Sequence, residues 1–234
     1  MRQIILDTET TGLDPNLGHR VIELAAVEIA DRRLTGNHFH RYINPERASD
    51  EGALQVHGLS EEFLRDKPKF AEIAAEFLDF VSGAELVIHN ASFDTAFINR
   101  ELDLLDLKPL GEYCPSIVDT LRMARDLHPG KKNSLDAVCE RYQIDHSART
   151  LHGALLDANL LAEAYLAMTR GQDSLIIDIA PAPQAGAATR LAAGKLDLIV
   201  IPAGAEELTE HELQLADIDR ASGGACIWKK IVDR

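Results

Sequence analysis

The sequence is poor in cysteine, in basic residues and in long apolar runs. It has three cysteines among 234 residues, Cys114, Cys139 and Cys226. An odd number of widely separated cysteines predicts neither a disulfide framework nor a zinc site, so we expect reduced, partly buried thiols. No apolar run approaches the roughly 20 residues that span a bilayer, and the N-terminus leads directly into a strand. We therefore expect a cytoplasmic protein with no membrane partner.

Basic residues are few relative to acidic ones. Lysine and arginine total 24 against 38 aspartates and glutamates, which gives a formal net charge of -14. Because phosphate binding relies mainly on Lys and Arg, this composition argues against a protein that holds nucleic acid by itself through a basic surface. Either nucleic acid is not the substrate, or another component delivers it.

The chain length and the apolar fraction are those of an ordinary globular protein. Hydrophobic residues make up 46% and charged residues 26% of the chain. A chain of this length buries one sizeable core and leaves some residues for an appendage. The first 45 residues alternate like three antiparallel strands, with Asp31-Arg32 as a tight connection between the last two: RQIILD, HRVIELAAVEIAD and RLTGNHFHRYINP.

The hydrophobic period changes to that of helices from about residue 60. Ser60 is a plausible N-cap, and apolar residues recur at helical spacing from Phe70 to Val81. The stretch AELVIHN predicts a short buried strand, followed at once by a helix in SFDTAFINRELDLL. The remaining predicted elements are a strand at Ser116 to Asp119 and helices at Ser134 to Tyr142 and about Gly153 to Met168. The pattern predicts a mixed α/β domain.

The character of the chain changes after Thr169. The stretch 180–194 is rich in Ala, Pro and Gly and is typical of a linker. A small strand-helix-strand appendage is predicted beyond it: LDLIVIP as a strand, a capping box at Thr209 to Glu212 opening a helix, and ACIWKKI as a strand. About 45 residues rarely supply a core of their own. We expect this segment to fold on a partner surface.

Two carboxylates end the first strand, in the stretch LDTETTG. Because side chains at i and i+2 of a strand point to the same face, Asp7 and Glu9 lie side by side. Like charges at that distance repel, and a divalent cation between them relieves the repulsion. A lone D-x-E pair is more often a solvated strand end, so the metal interpretation depends on further acids that converge on the pair.

Two further segments supply such acids. In LVIHNASFD, Asp94 falls in the first turn after a buried strand, a usual location for functional side chains in α/β folds. In RTLHGALLDAN, His152 and Asp157 are five residues apart, which is roughly 140° around a helix. They therefore do not share one helix face. We expect His152 on the loop before the helix and Asp157 in its first turn or two.

The order and spacing of these segments resemble the DEDDh exonuclease family from residue 4 to about residue 168. Within it the chain is most similar to the epsilon class of proofreading exonucleases of bacterial DNA polymerase III, through these stretches: LDTETTG, VHGLS, ELVIHNASFD, PGKKNSLDAVC and RTLHGALLDAN. The resemblance implies a ribonuclease H-like mixed sheet flanked by helices. It also implies 3'-5' removal of single nucleotides from DNA, released as 5'-monophosphates.

The resemblance implies a two-metal site. Two magnesium or manganese ions, about 4 Å apart, are expected on four carboxylates, with Asp7 bridging. The ligands are Asp7, Glu9, Asp94 and Asp157. Hard cations prefer such oxygen ligands. His152 is the expected general base, since a free imidazole titrates near pH 6.5.

Contacts to the terminal nucleotide are expected from the same region, at Asp7, Thr8, Glu9, Thr10, His57 and Asp157. Thr8 and Thr10 offer hydroxyls and backbone N-H groups. His57 lies in VHGL, which resembles the family segment that packs against the last base; a histidine that merely satisfies a loop is the competing interpretation. The favoured substrate is a single-stranded or frayed 3' end, because an unpaired end costs less to unstack.

The acidic charge and the C-terminal segment suggest tethering to partners. An acidic exonuclease binds DNA weakly by itself, so sustained action requires tethering that raises its local concentration at the DNA. The stretch QDSLII resembles sliding-clamp-binding peptides through Gln172, Ser174, Leu175 and Ile177, although a chance Gln before an apolar strand fits equally well. The segment 191–234 is similar to the part that attaches to the polymerase III catalytic (alpha) subunit. We therefore expect an exonuclease domain at 1–170, a linker at 171–190 and an alpha-binding segment at 191–234.

Two rival functions remain open from the sequence. The first is a DEDDh enzyme that acts on RNA, such as an oligoribonuclease or an RNA-trimming enzyme, which the C-terminal segment disfavours. The second is a subunit that only stabilises a polymerase-clamp complex. The presence of all five expected catalytic side chains disfavours the second function without excluding a dual role.

Overall fold

The computed structural model describes residues 2–147, 149, 151–170 and 202–228. The chain divides into two compact units, Met1–Asp178 and Ile179–Arg234. Within the described residues, five strands form one sheet in the order β3-β2-β1-β4-β5. The strands are β1 (Arg2–Thr10), β2 (Val21–Ala30), β3 (Arg33–Tyr42), β4 (Glu85–Ile88) and β5 (Ile117–Asp119).

The sheet is mixed because its first half is a meander and its second half is built from crossovers. β1 pairs with β2 and β2 with β3 in antiparallel fashion, while β1 pairs with β4 and β4 with β5 in parallel. Asp31 and Arg32 join β2 to β3 with φ of 48° and 60°. Two successive positive φ values give the turn that matches strand twist in hairpins, which confirms the tight connection predicted there.

Helices cover both faces of the sheet. In the first unit they are α1 (Glu51–His57), α2 (Glu61–Leu64), α3 (Phe70–Val81), α4 (Ala91–Asp103), α5 (Thr120–Leu127), α6 (Leu135–Arg141) and α7 (Ala154–Met168). Ser60 caps α2, as predicted, by accepting from the N-H of Phe63. The predicted mixed α/β architecture is confirmed. Two helices, α1 and α5, were not predicted from the sequence; both are short and lack a full apolar repeat.

The central strand β1 buries both of its faces. Ile4 and Leu6 pack on the side of α3 and α4, and Ile5 packs on the side of α6 and α7. This alternation continues to the end of the strand, so that Asp7 and Glu9 follow Ile5 toward α7. The register of β1 thereby decides which helix the two carboxylates meet.

The described part of the second unit contains α8 (Ala205–Ala221). It begins after Gly204, whose backbone N-H donates to Glu207 at 2.7 Å. The capping box predicted at Thr209 is therefore wrong: Thr209 lies inside the helix, and its hydroxyl donates to the carbonyl of Ala205. The strand predicted at ACIWKKI is wrong for 225–228, which lie in no strand. The predicted strand at 196–202 falls outside the described residues except for its last member.

The linker predicted at 171–190 also lies outside the described residues. Among the residues that the structure does describe, none of the helices has the length and apolarity to cross a membrane.

Candidate functional site

A pocket of about 890 Å³ opens where β1 and β4 end. All eight of the predicted catalytic and substrate-binding residues line it: Asp7, Thr8, Glu9, Thr10, His57, Asp94, His152 and Asp157. They come from β1, α1, α4, the loop before α7 and the first turn of α7. The four predicted clamp-binding residues, Gln172, Ser174, Leu175 and Ile177, lie outside the described residues.

Asp94 enters the pocket because the chain reverses sharply after β4. Asn90 adopts a left-handed conformation, with φ of 68°, and α4 begins at the next residue. Asp94 therefore falls in the first turn of α4, as predicted. Its carboxylate accepts from the backbone N-H of Thr8 at 3.1 Å and from the Thr8 hydroxyl at 2.7 Å. Asp94 is thus held against the end of β1.

His152 and Asp157 also lie as the helical arithmetic predicted. α7 begins at Ala154, so His152 precedes it on the loop and Asp157 sits in its first turn. The backbone N-H of His152 donates to the carbonyl of Val56 in α1 at 3.0 Å, which fixes the loop over the pocket. One potential ligand atom from each of three residues lies within 4.8 Å of the others: Glu9, His152 and Asp157.

Burial raises the pKa of three carboxyl groups that line the pocket, those of Glu9, Asp94 and Asp7. It raises the pKa of Glu9 to about 8, with the charges of Asp157 and Glu23 adding to the effect. It raises the pKa of Asp94 to about 7 against the lowering effect of the Thr8 hydrogen bonds. Burial, followed by the charge of Asp94, also raises the pKa of Asp7. Such crowded acids have the chemistry of a site for hard cations, whose charge relieves the repulsion.

Three histidines line the pocket, His57, His89 and His152, and burial lowers the pKa of each, which favours the neutral ring. Burial lowers the pKa of His152, and the charge of Arg149 lowers it further. Burial also lowers the pKa of His57. The Nδ1 atom of His57 accepts from the backbone N-H of Leu59 at 2.9 Å, so the ring proton resides on Nε2. That buried N-H has no hydrogen-bond partner among the described residues.

Thr8 and Thr10 already use their hydroxyls within the protein. The hydroxyl of Thr8 donates to Asp94, and that of Thr10 donates to the carbonyl of Gly12 at 2.7 Å. Both hydroxyl oxygens keep accepting capacity. Their predicted contacts to a nucleotide stay predictions.

Arg149 was missed by the sequence reasoning. Its guanidinium makes two parallel hydrogen bonds to Asp157, Nε to Oδ1 and Nη2 to Oδ2, each of 2.6 Å. It also forms an ion pair with Asp136 and donates to Nδ1 of His152 at 3.1 Å. The available signal was a cation three residues before the histidine in RTLHGALLD, beside a set of acids that lacked any cation.

Comparisons with known proteins agree with this fold and pocket. The family model described as an exonuclease, RNase_T, matches residues 4–165. The DNA polymerase III subunit epsilon of Escherichia coli (strain K12) is 50% identical over 238 aligned residues, which cover 97% of each chain. That of Pasteurella multocida (strain Pm70) is 48% identical and covers 98% of this chain and 94% of the relative.

Solved structures share the fold of the first unit. Exonuclease X in complex with 5' overhanging duplex DNA has a TM-score of 0.56 at 26% identity, covering 71% of this chain and 90% of that one. The nuclease domain of 3'hExo, a DEDDh family member bound to rAMP, has a TM-score of 0.62 at 18% identity, with the same coverages of 71% and 90%. The second likeness bears on the fold alone.

The fold, the pocket and the relatives define an exonuclease. The chain belongs to the exonuclease family, and it is a 3'-5' exonuclease whose relatives over nearly the full length are epsilon subunits of bacterial DNA polymerase III. Enzymes of this family use divalent metal ions.

Proposed function

We propose that this chain is the proofreading subunit of a bacterial DNA polymerase III, and that it removes nucleotides one at a time from a single-stranded or frayed 3' end of DNA. The observation that carries the proposal is the convergence of Asp7, Glu9, Asp94, His152 and Asp157, from three distant parts of the chain, on one pocket. The products are nucleoside 5'-monophosphates. The activity belongs to the bacterial cytoplasm, where replication takes place.

Four carboxylates are the proposed ligands of two Mg²⁺ or Mn²⁺ ions: Asp7, Glu9, Asp94 and Asp157. The raised pKa values of Asp7, Glu9 and Asp94 support this assignment, because a cation stabilises the ionised carboxylates that burial, and for Asp7 and Glu9 also the neighbouring acids, disfavour. When bound, the ions supply Lewis-acid chemistry that activates water and neutralises charge on the phosphate. The protein contributes the fixed positions of these acids, such as the double hydrogen bond from Thr8 to Asp94.

His152 is the proposed general base. Burial lowers its pKa, which favours the neutral ring, the protonation state that a general base requires. Its side chain is 47% exposed, so that water and a phosphodiester reach it from the open side of the pocket. Asp157 lies with Oδ2 at 3.7 Å from Nδ1, where its charge favours the imidazolium that proton transfer creates.

His57 is the proposed donor to the terminal nucleotide. Its Nε2-H lines the pocket and has no hydrogen-bond partner among the described residues. A buried donor without a partner carries a free-energy cost, which a hydrogen bond to the substrate removes. Asp7, Thr8, Glu9, Thr10 and Asp157 are proposed to complete the substrate contacts.

Tethering is the proposed answer to the net charge of -14. We assign attachment to the polymerase alpha subunit to 191–234, and sliding-clamp binding to Gln172, Ser174, Leu175 and Ile177. The apolar side chains that the described part of 191–234 leaves exposed support the first assignment: Leu208, Leu213, Ile218, Ile227 and Trp228. A chain truncated before Asp173 that still binds alpha and clamp as tightly as the full chain would disprove this tethering.

The deciding experiment is digestion of a 5'-labelled single-stranded DNA with and without Mg²⁺. A one-nucleotide ladder that shrinks from the 3' end, requires metal and runs faster than on RNA of the same sequence is the expected result. Asp7→Ala abolishes it, whereas Asp103→Ala, which removes an exposed carboxylate from α4, does not. A preference for RNA would instead indicate an RNA-trimming enzyme, and no digestion would favour a purely structural subunit.

A further inference from the structure

The pocket holds a cation of its own. Among the described residues that line it, Arg149 is the one arginine or lysine. Its side chain is 8% exposed and that of its partner Asp157 is 4% exposed, so the pair is shielded from water. Burial lowers the pKa of Arg149, but hydrogen bonds and charge from Asp157 and Asp136 outweigh this and raise it, so the guanidinium stays charged.

This guanidinium occupies both oxygens of Asp157. The two bonds of 2.6 Å form the planar fork that arginine makes with carboxylates. Each oxygen keeps a second lone pair, yet a cation already at hydrogen-bond distance repels another cation that approaches the same oxygens. Asp157 therefore binds a metal ion with its full affinity only after the Arg149 guanidinium has moved away.

The same guanidinium also occupies His152. Its Nη2 donates to Nδ1 of the ring at 3.1 Å. With Nδ1 accepting, the proton of the neutral ring resides on Nε2, and the ring has no free lone pair with which to take up a proton. One side chain thus engages both the fourth carboxylate and the proposed base.

We propose that Arg149 is an internal counter-ion of the metal-free site, which holds Asp157 and His152 in place and is displaced from Asp157 when a divalent cation binds there. This inference rests on the ligand role proposed above for Asp157. Arg149 is a positioning residue, because it acts through Asp157 and His152. Asp136 provides the place to which the guanidinium withdraws, since it is already an ion-pair partner and its side chain is 54% exposed.

The test measures metal binding directly. Mn²⁺ binding to the full chain is followed through the electron paramagnetic resonance signal of the free ion, and the melting temperature is recorded in chelator and in saturating Mn²⁺. Arg149→Ala is expected to bind Mn²⁺ about tenfold more tightly, the order of magnitude set by one charge-assisted hydrogen bond that no longer has to be broken. It is also expected to melt at a lower temperature in chelator, because a buried carboxylate has lost its partner.

Arg149→Lys provides a graded variant that keeps the charge but not the fork. It is expected to bind Mn²⁺ with an affinity between those of the wild type and Arg149→Ala, and it keeps the test open if the alanine variant fails to fold. Arg41→Ala is the matched control, since Arg41 on β3 forms an ion pair with the exposed Glu76 on α3. It should leave Mn²⁺ binding unchanged.

Two outcomes would overturn the proposal. Unchanged or weaker Mn²⁺ binding by Arg149→Ala would show that the guanidinium does not compete with the ion. Asp157→Asn then tells a failure of the counter-ion role from a failure of the proposed ligand set. If this variant loses affinity for Mn²⁺, Asp157 is a metal ligand and only the counter-ion role of Arg149 fails. If Asp157→Asn binds Mn²⁺ like the wild type, the proposed ligand set itself is wrong and the counter-ion role falls with it.

Discussion

Thr8 and Asp94 are joined by two hydrogen bonds, although they are 86 residues apart in the sequence. The hydroxyl and the backbone N-H of Thr8 donate to the same carboxylate oxygen, at 2.7 and 3.1 Å. The contact joins the end of β1 to the first turn of α4. It therefore sets the position of one proposed metal ligand relative to the other two on β1.

Replacing Thr8 by Val should lower kcat/KM by roughly ten- to a hundredfold. The substitution keeps the shape and removes one hydrogen bond to a charged group, which is worth about 1.5–3 kcal/mol. Thr8→Ser keeps the hydroxyl and should remain near the wild-type rate. The measurement is steady-state digestion of single-stranded DNA at saturating Mg²⁺. Equal rates for Thr8→Val and Thr8→Ser would show that the Thr8 hydroxyl plays no part in holding Asp94.

His152→Ala should lose roughly 10²–10⁴ in kcat while it still binds Mn²⁺, because general base catalysis contributes about that factor. Mn²⁺ affinity and single-turnover rate are measured on the same preparation. His38→Ala is the matched control, since His38 is an exposed residue of β3 whose ring hydrogen-bonds to the nearby carbonyl of Gly36. A His152→Ala rate close to wild type would rule out the base role.

His57→Asn tests the unpartnered N-H in isolation. The Asn side-chain oxygen sits where Nδ1 accepts from Leu59, so the loop keeps its bond, but the Nε2-H donor is lost. We expect KM to rise about tenfold, as for one lost hydrogen bond of about 1.4 kcal/mol, with little change in melting temperature.

His57→Gln gives the complementary result, because its amide returns a donor at the ε position and loses the acceptor for Leu59. It should recover most of the KM and melt at a lower temperature. If KM stays unchanged in His57→Asn, His57 serves the loop and not the substrate.

The stability of the metal-free protein should fall as the pH rises from about 4.5 to 8. Burial raises the pKa of Glu9 from 4.5 to about 8, so in this window the folded protein retains a proton that the unfolded chain releases. Stability decreases with pH wherever the folded state binds more protons, here by on the order of 5 kcal/mol for Glu9 alone.

Urea unfolding in chelator across this pH range measures the effect. Glu9→Gln should make the fall with pH shallower without removing it, because the raised pKa values of Asp94 and Asp7 also contribute. Saturating Mg²⁺ should flatten the curve of the wild type by favouring the ionised carboxylates. Glu76→Gln removes an exposed glutamate and serves as the control. A free energy of unfolding that rises with pH in the metal-free wild type would contradict the buried, protonated state of Glu9.

Gly58→Ala should lower activity through a neighbour of His152. Gly58 has φ of +71°, and an added Cβ would lie 2.7 Å from Cδ1 of Leu151. Gly83 has the same φ with nothing within 4 Å of an added Cβ, so Gly83→Ala isolates the backbone strain. Both variants should lose about 1 kcal/mol of stability. Only Gly58→Ala should also lose roughly tenfold in kcat, because it displaces the loop that carries His152.

Local patterns in the sequence were enough for most of the fold. The alternation in RQIILD and the helical spacing from Phe70 to Val81 depend on contacts within one element, so the periods of 2 and 3.6 residues reveal them. The same reasoning failed at the second unit. Thr209 to Glu212 matches a capping box, but α8 begins at Ala205, four residues before Thr209, and its N-cap Gly204 has its own partner in Glu207. Short motifs of this kind recur inside helices, where nothing local excludes them.

The sequence by itself determined the class of the site, because strand and helix geometry constrain which side chains share a face. Asp7 and Glu9 lie together through the two-residue period of β1, and the angle between His152 and Asp157 placed the histidine on the loop. Tertiary structure alone decided how these groups are partnered. The fork of Arg149 on Asp157, the bonds from Thr8 to Asp94 and the unpartnered N-H of His57 depend on the packing of separate elements against each other. A long, flexible side chain such as that of Arg149 reaches several partners, and only the surrounding fold selects among them.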